Sequence, residues 1–111
     1  MQAPAGWQVA MALDALQDGA PRDVLIDRQL VLLLREGDQV RAMQGSCPHQ
    51  FARLAQGQIA EGWIECPHHR ARFRLEDGIC GPGWRLPPLK RYATLVHEGA
   101  VLLPDPLEPL P

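Results

Sequence analysis

The sequence predicts a single all-β domain interrupted by a loop-rich insert. Short apolar runs of strand length occur towards both ends of the chain, and turn-forming Gly and Pro residues cluster between them. At 111 residues, the chain can bury one modest core but not two independent ones. We therefore expect one domain over residues 1–103, with the insert at about 45–85, and a Pro-rich tail over 104–111.

Three strands are predicted before the insert and a hairpin after it. Residues 24–26 and 30–34 are apolar runs separated by polar residues, and residues 40–43 alternate apolar and polar side chains, so the three form a meander. Residues 92–96 and 100–103 are joined through Glu98-Gly99 as a closing hairpin. Residues 13–18 fit one helical turn. The tail has four prolines in eight residues and is expected to be extended or disordered.

Composition and charge argue against several classes of function. The chain has 11 basic and 13 acidic residues, which gives no support to a role at nucleic acids or anionic membranes. No apolar run approaches the roughly 20 residues of a membrane span, and the N-terminus shows no secretory signal. Because three cysteines are an odd number and two lie in ligand-like motifs, a disulfide scaffold is not expected. We expect a cytoplasmic monomer.

The chemistry of the insert is concentrated in two motifs, Cys47-Pro48-His49 and Cys66-Pro67-His68-His69. Each motif supplies one thiolate and one imidazole, and the Cys-x-His and Cys-x-x-His spacings make the candidate ligands Cys47, His49, Cys66 and His69. A Rieske [2Fe–2S] centre uses this set, because two His replace two Cys on one of its irons. Zinc also binds two Cys and two His, but its usual spacing pairs Cys with Cys and His with His. The spacing favours the cluster, with a zinc-stabilised interaction module as the alternative.

The wider pattern resembles a Rieske-type ferredoxin over about residues 40–103. The residues that carry the resemblance are the two motifs, Leu54, Gly57, Phe73, Asp77-Gly78, Pro87 and Tyr92. The resemblance implies the Rieske fold, in which an antiparallel β-sandwich base supports a smaller loop-rich subdomain. It also implies one [2Fe–2S] cluster per chain on the four candidate ligands, and no catalytic residue.

The resemblance implies a soluble one-electron carrier rather than an enzyme. In this family the carrier passes electrons from an NADH-dependent flavoprotein reductase to a terminal oxygenase or hydroxylase, often in aromatic hydrocarbon catabolism. The run Cys47-Pro48-His49-Gln50 resembles carriers of toluene-type monooxygenases more than the Cys-Thr-His of dioxygenase carriers, although Ala71 replaces a Trp of that branch. A Rieske-like small subunit of another reductase, such as nitrite reductase, is the alternative, but that family often lacks the ligands.

Departures from respiratory Rieske proteins predict a low reduction potential. Ala52 and His68 stand where those proteins have two cysteines that form a disulfide beside the cluster. Ala71 and Phe73 stand where they have a Ser and a Tyr whose hydroxyls donate hydrogen bonds toward sulfur. Because such hydrogen bonds stabilise the reduced cluster, their loss predicts a potential near the low end of the Rieske range, around −150 mV.

Residues beside the motifs have alternative interpretations. Phe51 and Trp84 flank the cluster loops and either contact a partner or cover the cluster from water. Trp63 is expected to pack in the core, and Cys80 to fill space near the cluster. Four arginines are either simply solvated or form a basic surface that steers the carrier to an acidic partner: Arg53, Arg70, Arg72 and Arg85.

Overall fold

Antiparallel sheets build the computed structural model, which describes residues 3–49, 51–68 and 70–111. The strands in these ranges are β1 (Trp7–Ala12), β2 (Arg22–Ile26), β3 (Gln29–Glu36), β4 (Gln39–Gln44), β5 (Gln58–Ala60), β6 (Trp63–Glu65), β7 (Arg72–Arg74), β8 (Arg91–Tyr92), β9 (Leu95–His97) and β10 (Ala100–Pro104). They form three sheets with the orders β1-β10-β9, β2-β3-β4-β8 and β5-β6-β7. The predicted all-β fold is confirmed.

The helical content of the described ranges consists of two 3₁₀ turns, Leu13–Ala15 and Leu54–Gln56. The first lies within the predicted helical turn and is shorter than expected. Nowhere in the part of the chain that the structure describes is there a helix long and apolar enough to cross a membrane.

The predicted meander is confirmed as β2, β3 and β4, whereas the closing hairpin is more divided than expected. Residues 92–96 do not form one strand, because β8 pairs with β4 and β9 pairs with β10. The Thr94 hydroxyl donates to the Val40 carbonyl at 2.7 Å, where the chain passes from one sheet to the other. Strand β1, which the sequence did not predict, pairs antiparallel with β10.

Strand β3 separates two apolar cores. Val31 and Leu33 face the first of these, here named the base core. It lies between the sheet β1-β10-β9 and the sheet β2-β3-β4-β8, and it includes Val101 and Leu103. Leu32 and Leu34 face a second core, which is shared with the insert. The apolar run 30–34 is continuous because successive side chains of a strand point to opposite faces and both faces are buried here.

The tail, residues 104–111, lies against the base. Leu107 is buried in the base core, and its N–H donates to an Asp27 carboxylate oxygen at 3.1 Å. The Leu110 N–H donates to the Arg91 carbonyl at 2.7 Å.

Candidate metal centre

The two motifs form loops with the same backbone hydrogen bonds. The Cys47 N–H donates to the Ala52 carbonyl at 2.8 Å, and the Phe51 N–H donates to the Cys47 carbonyl at 2.7 Å. In the second loop, the Cys66 N–H donates to the Ala71 carbonyl at 2.8 Å, and the Arg70 N–H to the Cys66 carbonyl at 3.1 Å.

The likeness of the loops extends to their dihedral angles and their sequences. Phe51 and Arg70, each four residues after the cysteine, both have a left-handed backbone, with φ values of 58° and 59°. Residues 47–53 and 66–72 share the pattern Cys-Pro-His-x-x-Ala-Arg. The two predicted motifs are therefore parts of a longer seven-residue repeat, a signal present in the chain that the motifs alone did not reveal.

The structure brings the two candidate cysteines together inside the insert core. Cys47 is 0% exposed and Cys66 is 1% exposed, and both belong to the same buried cluster. Leu54, Ile64 and Phe73 of this cluster come from the segments around the two loops. The thiols are therefore placed where water is excluded.

A close backbone contact fixes the start of the second loop. Gly57 lies so near the Glu65 carbonyl oxygen that a Cβ on it would be 1.8 Å away. Glu65 directly precedes Cys66. Gly57, one of the residues that carry the family resemblance, is therefore required for a close approach between chain segments.

The histidines differ in position from the cysteines. His49 is exposed, and its ring lies 5.0 Å from the Trp84 ring in an edge-to-face arrangement with an interplanar angle of 65°. His68 is exposed in the second loop. His69, the fourth predicted ligand, lies outside the described residues. Within the described ranges, no three Cys, His, Asp or Glu side chains form a group that could hold a metal ion.

The side chains beside the cysteines are apolar. Ala52, Ala71 and Phe73 are buried, and none of them has a side-chain hydrogen-bond donor. At these three described positions the thiols are therefore offered no side-chain hydroxyl, which is the premise of the low-potential prediction.

The aromatic and thiol residues around the loops have different roles. Phe51 is 77% exposed, so the expectation that it covers the cluster from water is not supported. Trp84 is half-buried and packs against the insert core beside His49. Cys80 packs against the same core, as expected for a small filler, with its sulfur 3.6 Å from the carbonyl oxygens of Gly81 and Trp84.

Trp63 is not in the core, and that prediction was wrong. It lies half-exposed on β6, with the guanidinium carbons of Arg72 and Arg74 at 5.0 and 5.9 Å from its ring centroid. Ile64 takes the buried position instead, because neighbouring side chains of a strand face opposite ways. Arg74 also bonds to Asp77, and this hydrogen bonding lowers the pKa of Asp77 to about 2.

The arginines of the cysteine loops have different contacts. Arg53 donates to both carboxylate oxygens of Asp23 on β2 at 2.7 and 2.9 Å. These bonds lower the pKa of Asp23 and tie the first loop to the base. Arg70 is 87% exposed and reaches a Glu65 oxygen only at 3.8 Å. The expected basic surface therefore cannot be treated as four equivalent charges.

This donor set suits a Rieske-type cluster. The two cysteines, whose sulfurs would bind iron, lie in the dry interior, while an imidazole of the first loop lies at the surface. A match to the family model described as Rieske [2Fe-2S] domain covers residues 6–93. The chain belongs to this family. Membership implies a Rieske-type [2Fe–2S] cofactor, as the sequence predicted.

Two of the similar proteins of comparable length are ferredoxins of dioxygenase systems. The chain is 28% identical to the anthranilate 1,2-dioxygenase ferredoxin subunit of Burkholderia cepacia, covering 87% of this Rieske protein and 90% of that one. Its structure is similar to the ferredoxin of carbazole 1,9a-dioxygenase from Nocardioides aromaticivorans, with a TM-score of 0.82, 28% identity, and coverage of 90% and 98%. These relatives are electron-transfer subunits rather than catalytic enzymes.

Two further similar structures are of proteins that are bound to an oxygenase or assigned as a subunit of a reductase. One is a complex of oxygenase and ferredoxin in carbazole 1,9a-dioxygenase, with a TM-score of 0.80, 27% identity, and coverage of 97% and 100%. The other is assigned to the NADH-dependent nitrite reductase small subunit of Mycobacterium tuberculosis, with a TM-score of 0.75, 28% identity, and coverage of 87% and 92%. In several larger proteins that also match, this Rieske domain corresponds to between 10% and 34% of the length.

Proposed function

We propose that this Rieske protein carries single electrons from an NADH-dependent flavoprotein reductase to the terminal oxygenase of an aromatic-hydroxylating system. The observation that carries the proposal is the pair of matched loops, which combine two buried cysteines with a surface histidine. Similarity to dioxygenase ferredoxins over nearly the whole chain supports the same role. It also favours a dioxygenase partner over the monooxygenase partner that the first motif resembles.

The proposed ligands are Cys47 and Cys66 to one iron, and His49 and His69 to the other. When bound, such a cluster takes up and gives back one electron. The apolar core around the two cysteines excludes water, and the exposed ring of His49 offers an edge that a partner can approach. Because Ala71 and Phe73 donate no hydrogen bond, we expect a potential near −150 mV, the low end of the Rieske range.

Electron paramagnetic resonance of the reduced protein tests the ligand set. The parent should show a Rieske signal after reduction, and His69→Ala should abolish it. His68→Ala is the matched control, because it removes the neighbouring imidazole of the same loop and should leave the signal intact. Loss of the signal in His68→Ala, with retention in His69→Ala, would overturn the assignment.

Two other functions make different predictions. A zinc-stabilised module would give a colourless protein with one zinc per chain, whereas the proposed carrier is red-brown and contains two irons. A nitrite reductase small subunit, which the similarity to the Mycobacterium tuberculosis structure supports, would sustain nitrite-dependent oxidation of NADH with its catalytic partner. The proposed carrier should instead sustain hydroxylation by a purified aromatic-ring dioxygenase, measured as product formed per NADH oxidised.

A further inference from the structure

The charge of the chain is divided unevenly between the cluster loops and the rest. Three segments surround the candidate centre: the two cysteine loops, residues 47–53 and 66–72, and the loop of Trp84, residues 80–86. Together they contain four of the 11 basic residues and none of the 13 acidic ones. The remainder, with seven basic and 13 acidic residues, has a net charge of −6. The three loops therefore carry only positive formal charges of their own, and the acidic side chains that reach them, Asp23 and Glu65, belong to neighbouring segments.

Only some of the four loop arginines are available to a partner. Arg53 is neutralised by its two hydrogen bonds to Asp23. Arg72 lies over the ring of Trp63, with its guanidinium carbon 5.0 Å from the ring centroid. Arg70 is 87% exposed, and its 3.8 Å approach to Glu65 is too long for a strong ion pair. Arg85 is exposed in the loop whose Trp84 contacts His49.

Phe51 adds an apolar element to this surface. It occupies the same position of the first loop as Arg70 does in the second, two residues beyond His49, and it is 77% exposed. A bulky side chain with φ near 58° is unusual, because left-handed backbone favours Gly or Asn. Since Gly would fit this backbone with less strain, the need for a projecting aromatic ring explains Phe51 better than the fold does.

We propose that Phe51, Arg70 and Arg85, here named the tip surface, dock against a carboxylate-rich face of the electron-accepting oxygenase. The two arginines attract and orient that face, and the ring of Phe51 enters an apolar depression within it. The docked acceptor then lies beside the exposed edge of His49. This inference rests on the proposed electron-carrier function and adds the chemistry of the partner. Contacts of this kind are small, short-lived and sensitive to salt.

The test measures the sign of the charge at the site of electron exit. The protein is reduced with dithionite, excess reductant is removed, and stopped-flow spectroscopy follows the reduction of cytochrome b5, a haem protein with an acidic docking face. Each electron given up by one cluster converts one ferric haem to ferrous haem. Cytochrome c, whose docking face is basic, serves as the opposite acceptor.

The tip surface predicts opposite effects of salt on the two acceptors. Reduction of the acidic acceptor should slow by about tenfold or more as ionic strength rises, because attraction is screened, whereas the basic acceptor should show no such slowing. The double change Arg70→Glu with Arg85→Glu should remove the slowing for the acidic acceptor. The control is Arg22→Glu with Lys90→Glu, which changes the net charge of the protein by the same amount but at positions outside the three loops. This control variant should still show the slowing of the acidic acceptor by salt.

Two results would overturn the inference. One is faster reduction of the acidic acceptor at high salt, and the other is an equal loss of rate in both double variants. Phe51→Gly should keep the Rieske signal and unfold at the same or a higher temperature than the parent; loss of the signal would instead make Phe51 a cover for the cluster. A parent protein without any Rieske signal would contradict the proposed function itself, so the two failures are distinguishable.

Discussion

Replacing Gly57 by Ala should destabilise the chain and prevent cluster binding. The added Cβ would lie 1.8 Å from the Glu65 carbonyl oxygen, whereas contacts below 3.0 Å are essentially never seen, so the segments must separate by at least 1.2 Å. Overpacking usually costs about 1–3 kcal/mol. Here the obstacle is the backbone of β6, which pairs with a strand on either side, so we expect a cost of at least about 3 kcal/mol. For a domain of this size, that lowers the melting temperature by about 10 °C or more.

The same displacement bears on the candidate centre, because Cys66 follows Glu65 directly. Metal sites tolerate errors of only about 0.2 Å in ligand distances, far less than the required separation. Thermal unfolding, iron content and the resonance signal measure the outcome. Gly81→Ala is the control, since its Cβ would meet a ring carbon of Trp63 at 3.1 Å, and a side chain at the sheet surface can move. A Gly57→Ala protein with the parent's melting temperature and full iron content would refute this reasoning.

Three further outcomes are expected. Ala71→Ser or Phe73→Tyr should raise the reduction potential of the one-electron couple by about 40–90 mV, if the new donor favours the reduced state by about 1–2 kcal/mol. An unchanged midpoint potential in protein-film voltammetry would argue against this role of the missing donors. Asp23→Asn should lower thermal stability at neutral pH. Since hydrogen bonding from Arg53 lowers the pKa of Asp23 in the folded chain, its contribution is complete above about pH 4 and is lost as the pH falls through that lowered pKa. A variant–parent difference that did not shrink as the pH fell below about 4 would contradict the role of Arg53. Leu107→Ala should reduce the free energy of unfolding by about 2 kcal/mol in urea, and no reduction would mean that the tail contributes nothing to the base core.

The parts of the fold that the sequence predicted are those with a local signal. The run 30–34 identified β3 because an apolar stretch of five residues is typical of a strand buried on both faces. Strand β1 gave no comparable signal, since Ala and Met in Trp7–Ala12 do not favour strands and its partner β10 is about 90 residues away. The pair of Arg53 with Asp23 spans 30 residues and likewise has no local pattern.

The candidate centre was more predictable than its surroundings, because ligand chemistry restricts residue type and spacing. Two Cys and two His in tight motifs identified the family. The same spacing could not indicate that Trp63 lies outside the core or that Phe51 projects into solvent, since both depend on which way a side chain leaves the backbone. A positive φ at Phe51, in particular, has no signature in the residue itself.

The matched loops bear directly on which histidine completes the site. Position by position, His68 corresponds to His49, so the repeat alone would make the two loops donate imidazoles from the same place. The Cys-x-x-His spacing selects His69 instead, one residue further along. The repeat keeps Cys, Pro, His, the buried Ala and the following Arg, and the two loops differ in sequence only at the two positions between that His and the Ala. Loss of the resonance signal in His69→Ala but not in His68→Ala would therefore show that the two loops supply their imidazoles from positions that differ by one residue in the repeat.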